Sequence, residues 1–437
     1  MTINTQHDSF DKASIAELVA RYGSSSTTSW LEFDRYQIWR PTVPIPESEF
    51  LPVQGYMIKD SWLFAWGNPL VSSPAALAPT ARAFIDFAES HFHPVWACVD
   101  RDLEEILGNE EFGWSTVSCI YEDFVDPAHV IELTSPDAKG KEGQHVVKDL
   151  KKNLNRAEKY DVHVQEIRNT QWKDADKKAV EEGIEAWKSG RSGIQIASTT
   201  LQPWLDQEHR RYWLARQHDV IVGILILTPI QANSWQIKNA VSFPNAPKGT
   251  SEALIYTALK DLSEEESSSY KSNGVHSISP AKLAKGVQNS LAHTDTDSET
   301  SISSTTVEPS SSDSESVTTP SASGVISPVS ETGISGMTTP QHTGTSGIDS
   351  TLRDSNRVTV TFGISAAPNM EPVHNLGGWK VKALSKTYSK VASSTKIINR
   401  GEFRSKFDSE HEPMYVCYPQ DGFGLEGVNA LFNVLKK

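Results

Sequence analysis

The sequence contains little cysteine and no familiar metal-binding spacing. Its three cysteines, Cys98, Cys119 and Cys417, are far apart in a chain of 437 residues. A small, odd number of distant cysteines excludes a disulfide-rich scaffold and is typical of a reducing compartment. No Cys-x-x-Cys or His-Glu-x-x-His pattern is present, so we expect neither a metal ion nor another cofactor. Cys119 stands in a strand-like stretch and is expected to be an inert buried thiol.

Long hydrophobic runs are also missing. The longest strongly apolar stretch, residues 220–230, is interrupted by Gly223 and Pro229. It is too short to cross a bilayer and predicts a buried strand. The first ten residues show no basic segment followed by an apolar run, so a secretory signal is not expected. These absences predict a cytoplasmic protein whose contact with membranes is peripheral.

Aromatic residues are absent from positions 271–361, whereas the rest of the chain holds 12 Trp, 11 Tyr and 15 Phe. Residues 263–356 are mostly Ser, Thr, Pro and Gly, with twelve acidic and four basic side chains. Such a segment buries too little apolar surface to offset its ordering entropy, so we predict a disordered insertion. Its Ser/Thr-Pro steps begin at Ser279, Thr319, Ser327 and Thr339. Two interpretations stay open: a loop phosphorylated by a kinase, or an insertion tolerated in a surface connection.

The remaining pattern predicts two α/β halves. The expected divisions are a flexible N-terminus (1–28), a first half (29–137), and a second half (138–262 plus 357–437) that the insertion interrupts. In the second half a hairpin (212–227) and a strand (234–243) precede a Pro/Gly turn (244–249) and a helix (251–262). This order is that of a GNAT-type acyltransferase. Its turn presents backbone N–H groups at the positive end of a helix dipole, where an acyl carbonyl or a phosphate can bind.

Two basic segments stand out in a chain whose formal net charge is −14. The first is a predicted helix over residues 148–160. Its basic residues at three- and four-residue spacing form one stripe. They are Lys148, Lys152, Arg156 and Lys159, with Lys151 beside them. The second segment, residues 379–407, has eight basic residues and one acidic residue. Two basic segments in an acidic protein indicate a polyanionic partner, and solvated surface faces are the alternative.

Several motifs carry a resemblance to a known family. Gly140-Lys141 followed by residues 155–159 (Asn-Arg-Ala-Glu-Lys) resembles the opening signature of bacterial phosphatidylglycerol aminoacyltransferase domains. Residues 403–407 (Phe-Arg-Ser-Lys-Phe), with Glu412-Pro413 after them, resemble the closing motif of that family. The turn at 244–249 and Leu376-Gly377 are similar to its central and late glycine loops. The resemblance implies two GNAT-like halves and transfer of an aminoacyl group from charged tRNA to a lipid.

The sequence departs from the bacterial pattern in one informative place. Residues 238–241 read Lys-Asn-Ala-Val where the lysyl- and alanyl-transferring enzymes have an acidic residue, two others and an arginine. The chain is more similar to the fungal ergosteryl aminoacyl ester synthases, and it lacks the synthetase domain of the aspartate-transferring type. The resemblance therefore implies the stand-alone type, with glycyl-tRNA as donor and membrane ergosterol as acceptor. Aspartate as the amino acid and a phospholipid as the acceptor stay open.

The mechanism that this resemblance implies needs an oxyanion site, a proton route and phosphate contacts. We expect backbone N–H groups around Gly249 to receive the oxyanion, and Glu252 either to bind the substrate ammonium or to cap its helix. His374, beside Asn375, is the expected base, unless the 2′-hydroxyl of the terminal adenosine relays the proton. Substrate contacts are predicted for Lys238, Asn239, Ser251 and Tyr388. Contacts to tRNA are predicted for Lys148, Lys151, Lys152, Arg156, Arg404 and Lys406.

Other candidates have ordinary explanations. His91 and His93 lack further ligands at a suitable spacing, so a metal pair is not expected. Four tryptophans favour core packing over a sterol groove. They are Trp30, Trp39, Trp62 and Trp66. Two rival functions also remain open: an acyl-CoA-dependent N-acetyltransferase, and a non-catalytic scaffold that binds RNA or lipid.

Overall fold

The structure is a computed structural model of the chain. It describes residues 11–138, 140, 143–190, 201–231, 233–272, 357–377, 381, 385–386, 388, 399–420 and 423–435. The predicted disordered insertion lies outside the described residues from position 273 to position 356. Four lysines of the second basic segment also lie outside them, namely Lys380, Lys382, Lys390 and Lys396.

One mixed sheet of eleven strands organises the described chain. The strands are β1 (Gln37–Trp39), β2 (Gln54–Lys59), β3 (Trp62–Trp66), β4 (His93–Val99), β5 (Ser115–Val125), β6 (Val162–Ile167), β7 (Arg211–Gln217), β8 (Val220–Gln231), β9 (Ser234–Ser242), β10 (Thr359–His374) and β11 (Glu410–Tyr418). Their order across the sheet is β1-β2-β3-β4-β11-β5-β10-β9-β8-β7-β6. The sheet is antiparallel except at two places, where β3 pairs with β4 and β9 pairs with β10.

Helices cover the faces of this sheet. The described helices are α1 (Lys12–Tyr22), α2 (Ser29–Glu32), α3 (Leu77–Glu89), α4 (Arg101–Gly108), α5 (Pro127–Thr134), α6 (Lys148–Lys159), α7 (Asp174–Ser189), α8 (Thr250–Ser272), α9 (Asn399–Arg404) and α10 (Leu425–Leu435). Alternate strand residues and one face of each long helix share four hydrophobic clusters, two in each half of the sheet. Helix and sheet therefore bury their apolar sides against each other, as a layered α/β fold requires.

The α/β class and the two GNAT-like halves are confirmed by the topology. Each half contains an antiparallel run of strands that ends in one parallel pair, β3 with β4 and β9 with β10. At the centre of the sheet the halves interlock, because β11 lies between β4 and β5 and pairs with both. Strand β11, which follows the second half in sequence, thus pairs with two strands of the first half.

The N-terminal segment is more ordered than the sequence analysis expected. Within the segment predicted as flexible, α1 begins after Asp11, whose side chain accepts a hydrogen bond from the Ala13 N–H. Its buried face, Ile15, Ala16 and Val19, recurs at helical spacing. This helix packs against β8, so an amphipathic pattern outweighed the polar composition of the segment.

One helix extends past its predicted end. The helix expected over residues 251–262 begins at Thr250 and continues to Ser272. Its additional turns are held from outside: Glu265 binds both terminal nitrogens of Arg211 at 2.8 Å, and Glu266 accepts from the Val358 N–H at 2.9 Å. Strand β10 continues to His374, so the expected base lies at the end of a strand.

The ordinary explanations for the tryptophans and for Cys119 agree with the structure. All four tryptophans lie in hydrophobic clusters and are at most 9% exposed. Burial raises the pKa of the Cys119 thiol to about 12, so it is an unreactive group at neutral pH.

No helix among the described residues is long and apolar enough to span a membrane. Within the same residues, no group of three or more potential ligands could hold a metal ion.

Replacing residues 274–353 by eight glycine and serine residues is expected to leave the fold intact. Val358 is anchored to Glu266, and Ser272 lies six helical residues further on, or about 9 Å at 1.5 Å per residue. A short linker spans that distance, and loop-closure entropy changes only slowly with length. Thermal unfolding of the two proteins should give midpoints within about 3 °C, since a change below ~1 kcal/mol shifts a domain of this size by that much. Loss of cooperative unfolding would show that the segment is structural.

Candidate active site

The glycine turn predicted before α8 is present and packs tightly on α6. Gly249 has φ +99°, in the left-handed region that glycine tolerates. A Cβ atom at this position would lie 2.1 Å from the backbone oxygen of Asn153 on α6. Both the backbone conformation and this close approach require glycine. The turn therefore fixes the N-terminus of α8 directly against the basic helix.

Glu252, in the first turn of α8, connects this helix with α6 and with the segment that contains Lys406. It is 7% exposed, and its Oε1 atom accepts from Asn153 Nδ2 at 2.7 Å and from Lys406 Nζ at 2.9 Å. Arg156 NH1 donates to Asn153 Oδ1 at 3.1 Å and completes the chain of contacts. The carboxylate already has a cationic partner, Lys406. Binding of a substrate ammonium by Glu252 stays a prediction, and the structure adds an anchoring role.

The predicted tRNA-binding helix presents its bases beside this turn. On α6, Lys148 and Lys152 are exposed, and Lys151 and Arg156 are half-buried. Lys406 is also half-buried, with 27% of its side chain exposed. Arg156 and Lys406 are linked to the positive end of the α8 dipole through Asn153 and Glu252, and the three lysines lie on the same helix as Asn153. An anion at such a helix end is stabilised by both charge and backbone N–H groups. Ser251 lies in the same turn, where its hydroxyl is 2.6 Å from that of Ser242.

Arg404 is buried in the interior of the protein. The sequence analysis had instead expected this residue to contact a tRNA phosphate. Its guanidinium forms an ion pair with the fully buried carboxylate of Asp123. It also donates to the backbone oxygens of Gly363 at 2.9 Å and Phe362 at 3.0 Å. These two carbonyls are available because β10 bulges between Thr361 and Ile364 against β5. A buried arginine with three acceptors has a structural role. The contact of Arg404 to a tRNA phosphate stays a prediction, and this placement does not favour it.

Asp123 and His411 are functional candidates that sequence reasoning missed. His411 Nδ1 lies 2.6 Å from Asp123 Oδ1, and 46% of the imidazole side chain is exposed. Burial alone would raise the pKa of Asp123, but the hydrogen bond from His411 and the charge of Arg404 more than offset it, so the pKa is lowered. A half-exposed histidine oriented by a buried carboxylate is a common arrangement for a base. The only sequence signal was the position of His411 beside the closing motif.

Lys238 and Asn239 lie on β9 next to a residue of the N-terminal half. Lys238 Nζ is 3.4 Å from Glu32 Oε2 and 3.3 Å from the hydroxyl of Thr28. Glu32 Oε1 also pairs with Arg210 NH2 at 2.5 Å. The side-chain oxygen of Asn239 is buried and has no hydrogen-bond partner in the part of the chain that the structure describes. Glu32 and Arg210 were not foreseen, because nothing in the sequence places residues 32, 210 and 238 together.

His374 and Asn375 form a separate group in the first half. His374 Nδ1 is 2.6 Å from Glu104 Oε1, and Glu104 is 2% exposed. Asn375 has φ +52° and donates from Nδ2 to the backbone oxygens of Gly108 and Trp114. These contacts attach the end of β10 to α4 and the start of β5. The imidazole is well oriented for proton transfer, with 44% of its side chain exposed.

The predicted catalytic residues are therefore divided between two places. His374 pairs with Thr116 on β5, whereas Ile364, next to the carbonyls that bind Arg404, pairs with Glu122. Six residues of β5 separate these registers, or about 20 Å at 3.4 Å per residue. Gly249, Ser251, Glu252, Arg156 and Lys406 come together at the N-terminus of α8, and His374 does not join them.

Tyr388 is placed by its hydroxyl between two strands. Its Oη atom lies 2.7 Å from the backbone oxygen of Cys119 and 2.6 Å from that of Ala367. Burial raises the pKa of the phenol, which therefore stays protonated and able to donate. The predicted substrate contact through this hydroxyl remains a prediction, and in this structure the group ties β5 to β10.

The fold is a layered α/β fold with a glycine turn before α8, and comparisons with known proteins place the chain in a family. The family model for the C-terminal region of phosphatidylglycerol lysyltransferase matches residues 18–288. The chain belongs to this family. Comparison with curated protein sequences finds no match.

Two solved structures share the fold. One is the C-terminal domain (DUF2156) of a putative lysylphosphatidylglycerol synthetase from Agrobacterium fabrum, with 12% identity, coverage of 98% of both chains and a TM-score of 0.57. The other is L-PGS from Bacillus licheniformis, with 10% identity, coverage of 97% of this chain and 94% of that one, and a TM-score of 0.57. At such identities the likeness concerns the fold.

Asp123→Asn is expected to destabilise the protein strongly, because it leaves the Arg404 guanidinium buried without a counter-charge. Breaking a buried pair in this way costs about 3–5 kcal/mol. Since the pKa of Asp123 is lowered in the folded state, its contribution is present above the carboxyl pKa of the unfolded chain and is lost as pH falls through the folded value. Urea unfolding at pH 7 and at pH 3 should therefore show a large difference at pH 7 and a smaller one at pH 3.

Asp34→Asn is the matched control for this measurement. It removes an exposed carboxylate that pairs with Lys12 at 3.3 Å, an interaction of the kind that contributes at most about 1 kcal/mol. If Asp123→Asn were as mild as Asp34→Asn at pH 7, the central ion pair would not stabilise the fold.

Proposed function

We propose that this protein transfers an aminoacyl group from an aminoacyl-tRNA to a lipid hydroxyl group. Membership in the phosphatidylglycerol lysyltransferase family supports this reaction class. The observation that carries the proposal is the N-terminus of α8, a glycine turn pressed on a basic helix and flanked by Lys406. Backbone N–H groups, a helix dipole and several cations in one place suit the phosphates of a tRNA acceptor end.

The particular donor and acceptor that we propose are glycyl-tRNA and ergosterol. The support is the resemblance of the sequence to stand-alone fungal ergosteryl-glycine synthases, in particular at residues 238–241, where the bacterial acidic and arginine positions are replaced. The product is an ester between glycine and the 3β-hydroxyl of the sterol. Because the acceptor is a membrane lipid, we propose that the protein works in the cytoplasm and contacts the membrane surface peripherally.

The chemistry is an ester exchange that needs no covalent enzyme intermediate. The sterol oxygen attacks the carbonyl carbon of the aminoacyl ester, and the bond from that carbon to the ribose oxygen breaks. The sterol hydroxyl proton ends on the ribose oxygen, so atoms and charge balance. The protein has to hold the two substrates together and to stabilise the negative charge that develops on the carbonyl oxygen.

Of the two proton routes, the geometry favours the ribose 2′-hydroxyl. Along β5, the partner of His374 lies about 20 Å from the strand position beside Arg404. Arg404 in turn precedes by two residues Lys406, which contacts Glu252 at the N-terminus of α8. A base has to come within hydrogen-bond reach of the proton that it accepts. The neighbouring 2′-hydroxyl is always within reach of the ester, so we propose that it relays the proton and that His374 attaches β10 to α4.

The deciding experiment is a transfer assay with purified protein and vesicles that contain ergosterol. Total tRNA is charged with one labelled amino acid at a time, and lipids are extracted and resolved. We expect label in a sterol ester with glycine alone, abolished by ribonuclease. Label from aspartate, or in a phospholipid, would change the substrate but keep the reaction. No label with any donor would overturn the proposed function in favour of an acyl-CoA-dependent enzyme or a scaffold.

Reversing two exposed charges on α6 should weaken tRNA binding without affecting the chemical step. For Lys148→Glu/Lys152→Glu we expect the KM for aminoacyl-tRNA to rise at least tenfold near 150 mM salt, with kcat within about twofold. Each lost phosphate contact also reduces the slope of log KM against log salt by about 0.7–0.9. Arg156 is left unchanged because it binds Asn153.

The control for this variant is Lys178→Glu/Lys188→Glu on α7, which makes the same change of charge elsewhere. Unchanged KM in the α6 variant, or an equal rise in both, would contradict a tRNA contact at α6.

A further inference from the structure

The strongest unexplained feature is a buried cluster of one acid and two bases, Glu32, Arg210 and Lys238. The side chains are 2%, 1% and 5% exposed, respectively. Glu32 comes from α2 in the N-terminal segment, and the two bases come from the second half, Arg210 just before β7 and Lys238 on β9. Two cations share one carboxylate, so the cluster carries an excess positive charge when all three groups are ionised. An uncompensated buried charge is costly and calls for a ligand or a function.

Polar atoms in this cluster lack partners. Among the described residues, Arg210 Nε is buried without a hydrogen bond, as is Asn239 Oδ1 on the residue of β9 next to Lys238. The partner of Glu32 Oε2 there is Lys238 Nζ at 3.4 Å, and Lys238 Nζ lies 3.3 Å from the hydroxyl of Thr28, so both contacts of the ammonium are long. An ammonium group has three hydrogens to donate, so Lys238 can reach a further acceptor. Buried polar groups in native proteins are normally satisfied, and several unsatisfied ones together indicate a ligand site.

A β-bulge places Lys238 and Asn239 on the same side of the sheet. Opposite β8, Asn239 pairs with Ile226 and Ile237 with Leu227, so Lys238 is an extra residue. On either side of the pair, Ile237 and Ala240 both pack in the cluster around α8. Lys238 and Asn239 therefore turn to the opposite face, where Lys238 contacts Glu32. Bulges of this kind re-aim side chains and are frequent next to active sites.

The same residues stand where two parallel strands separate. β9 and β10 pair only over Ser234–Gln236 and Thr359–Thr361. Beyond Gln236, the edge of β9 that would face β10 has no strand partner among the described residues. This unpaired edge of β9 runs from Lys238 to Ser242, about 13 Å at 3.3 Å per residue. Ser242 contacts Ser251 in the glycine turn, so this part of β9 connects the buried cluster to the proposed phosphate site.

We propose that Lys238 stabilises the oxyanion of the aminoacyl ester during transfer, with Glu32 and Arg210 holding it in position. This inference rests on the proposed function and assigns the reacting carbonyl to the β9 bulge, with the glycine turn left for the acceptor-end phosphates. The negative charge that develops on the carbonyl oxygen matches the excess positive charge of the cluster. In a site closed to water, such a preorganised cation contributes more than it would in solution.

The ionisation of Lys238 gives the proposal a distinctive pH dependence. Burial lowers the pKa of Lys238 and the nearby charge of Arg210 lowers it further, while Glu32 opposes both effects. The hydroxyl of Thr28, which also contacts the ammonium, does not titrate. Because the cation is the active form, the rate should fall as pH rises through this lowered pKa, earlier than for an ordinary lysine.

The test compares Lys238→Met, Lys238→Arg and the exposed-lysine control Lys260→Met in the transfer assay. We expect Lys238→Met to lose at least 100-fold in kcat with the KM for tRNA within threefold, the loss typical of removing one oxyanion donor. Lys238→Arg should keep a measurable rate and lose the alkaline fall, because a guanidinium stays charged at every pH used. Lys260→Met should match the wild type. Initial rates are corrected for spontaneous hydrolysis of the aminoacyl ester.

The outcomes separate this inference from the proposed function. A wild type that transfers nothing from any charged tRNA overturns the proposed function. An active wild type together with a Lys238→Met variant within threefold in kcat overturns the inference alone. The inference is also overturned if Lys238→Met changes only the KM for tRNA, or if the rate of Lys238→Arg falls at high pH as it does in the wild type. If Lys238→Met does not fold, as judged by thermal unfolding, the pH profile of Lys238→Arg decides whether Lys238 stabilises the oxyanion. Loss of the alkaline fall supports that role, and its persistence overturns it.

Discussion

The pairing of Arg404 with Asp123 is the interaction on which the centre of the structure depends. Asp123 belongs to β5 of the first half, and the carbonyls of Phe362 and Gly363 belong to a bulge in β10. Arg404 comes from the C-terminal segment and holds all three. Two residues later, Lys406 reaches Glu252 and the glycine turn. One short segment thus connects the middle of the sheet to the proposed phosphate site, which explains why a motif near the end of the chain bears on a turn formed by residues far earlier.

Much of the fold follows from local patterns, and the sites follow from them only in part. The strands β7–β9 and the helix α6 were predictable because alternation, turn residues and helical spacing all act within a few residues. Gly249 was predictable for the same reason. The burial of Arg404 was not predictable, because a surface phosphate contact and a buried ion pair use the same side chain. Only the partner, Asp123, distinguishes them, and it is 281 residues away.

The buried cluster of Glu32, Arg210 and Lys238 also shows that partners distant in sequence cannot be predicted from local patterns. Lys238 attracted notice through the departure from the bacterial pattern, but Glu32 and Arg210 carry no local signal. They meet Lys238 because α1 packs on β8 and brings α2 to the second half. Long-range packing therefore decides which charges share a site, and a sequence taken alone supplies candidates without their partners. The extra residue in β9 is equally invisible, because a bulge is defined by the register of two strands.

The position of β11 has a consequence for how the protein is made. This strand, Glu410–Tyr418, occupies the middle of the sheet between β4 and β5, yet it begins 285 positions after the end of β5 at Val125. Until β11 has been synthesised, β4 and β5 each lack one neighbour, and the nascent chain exposes two unpaired strand edges. Such edges invite association with other chains, and contacts between residues far apart in sequence form slowly. We therefore expect the nascent protein to rely on chaperones until β11 has paired with β4 and β5.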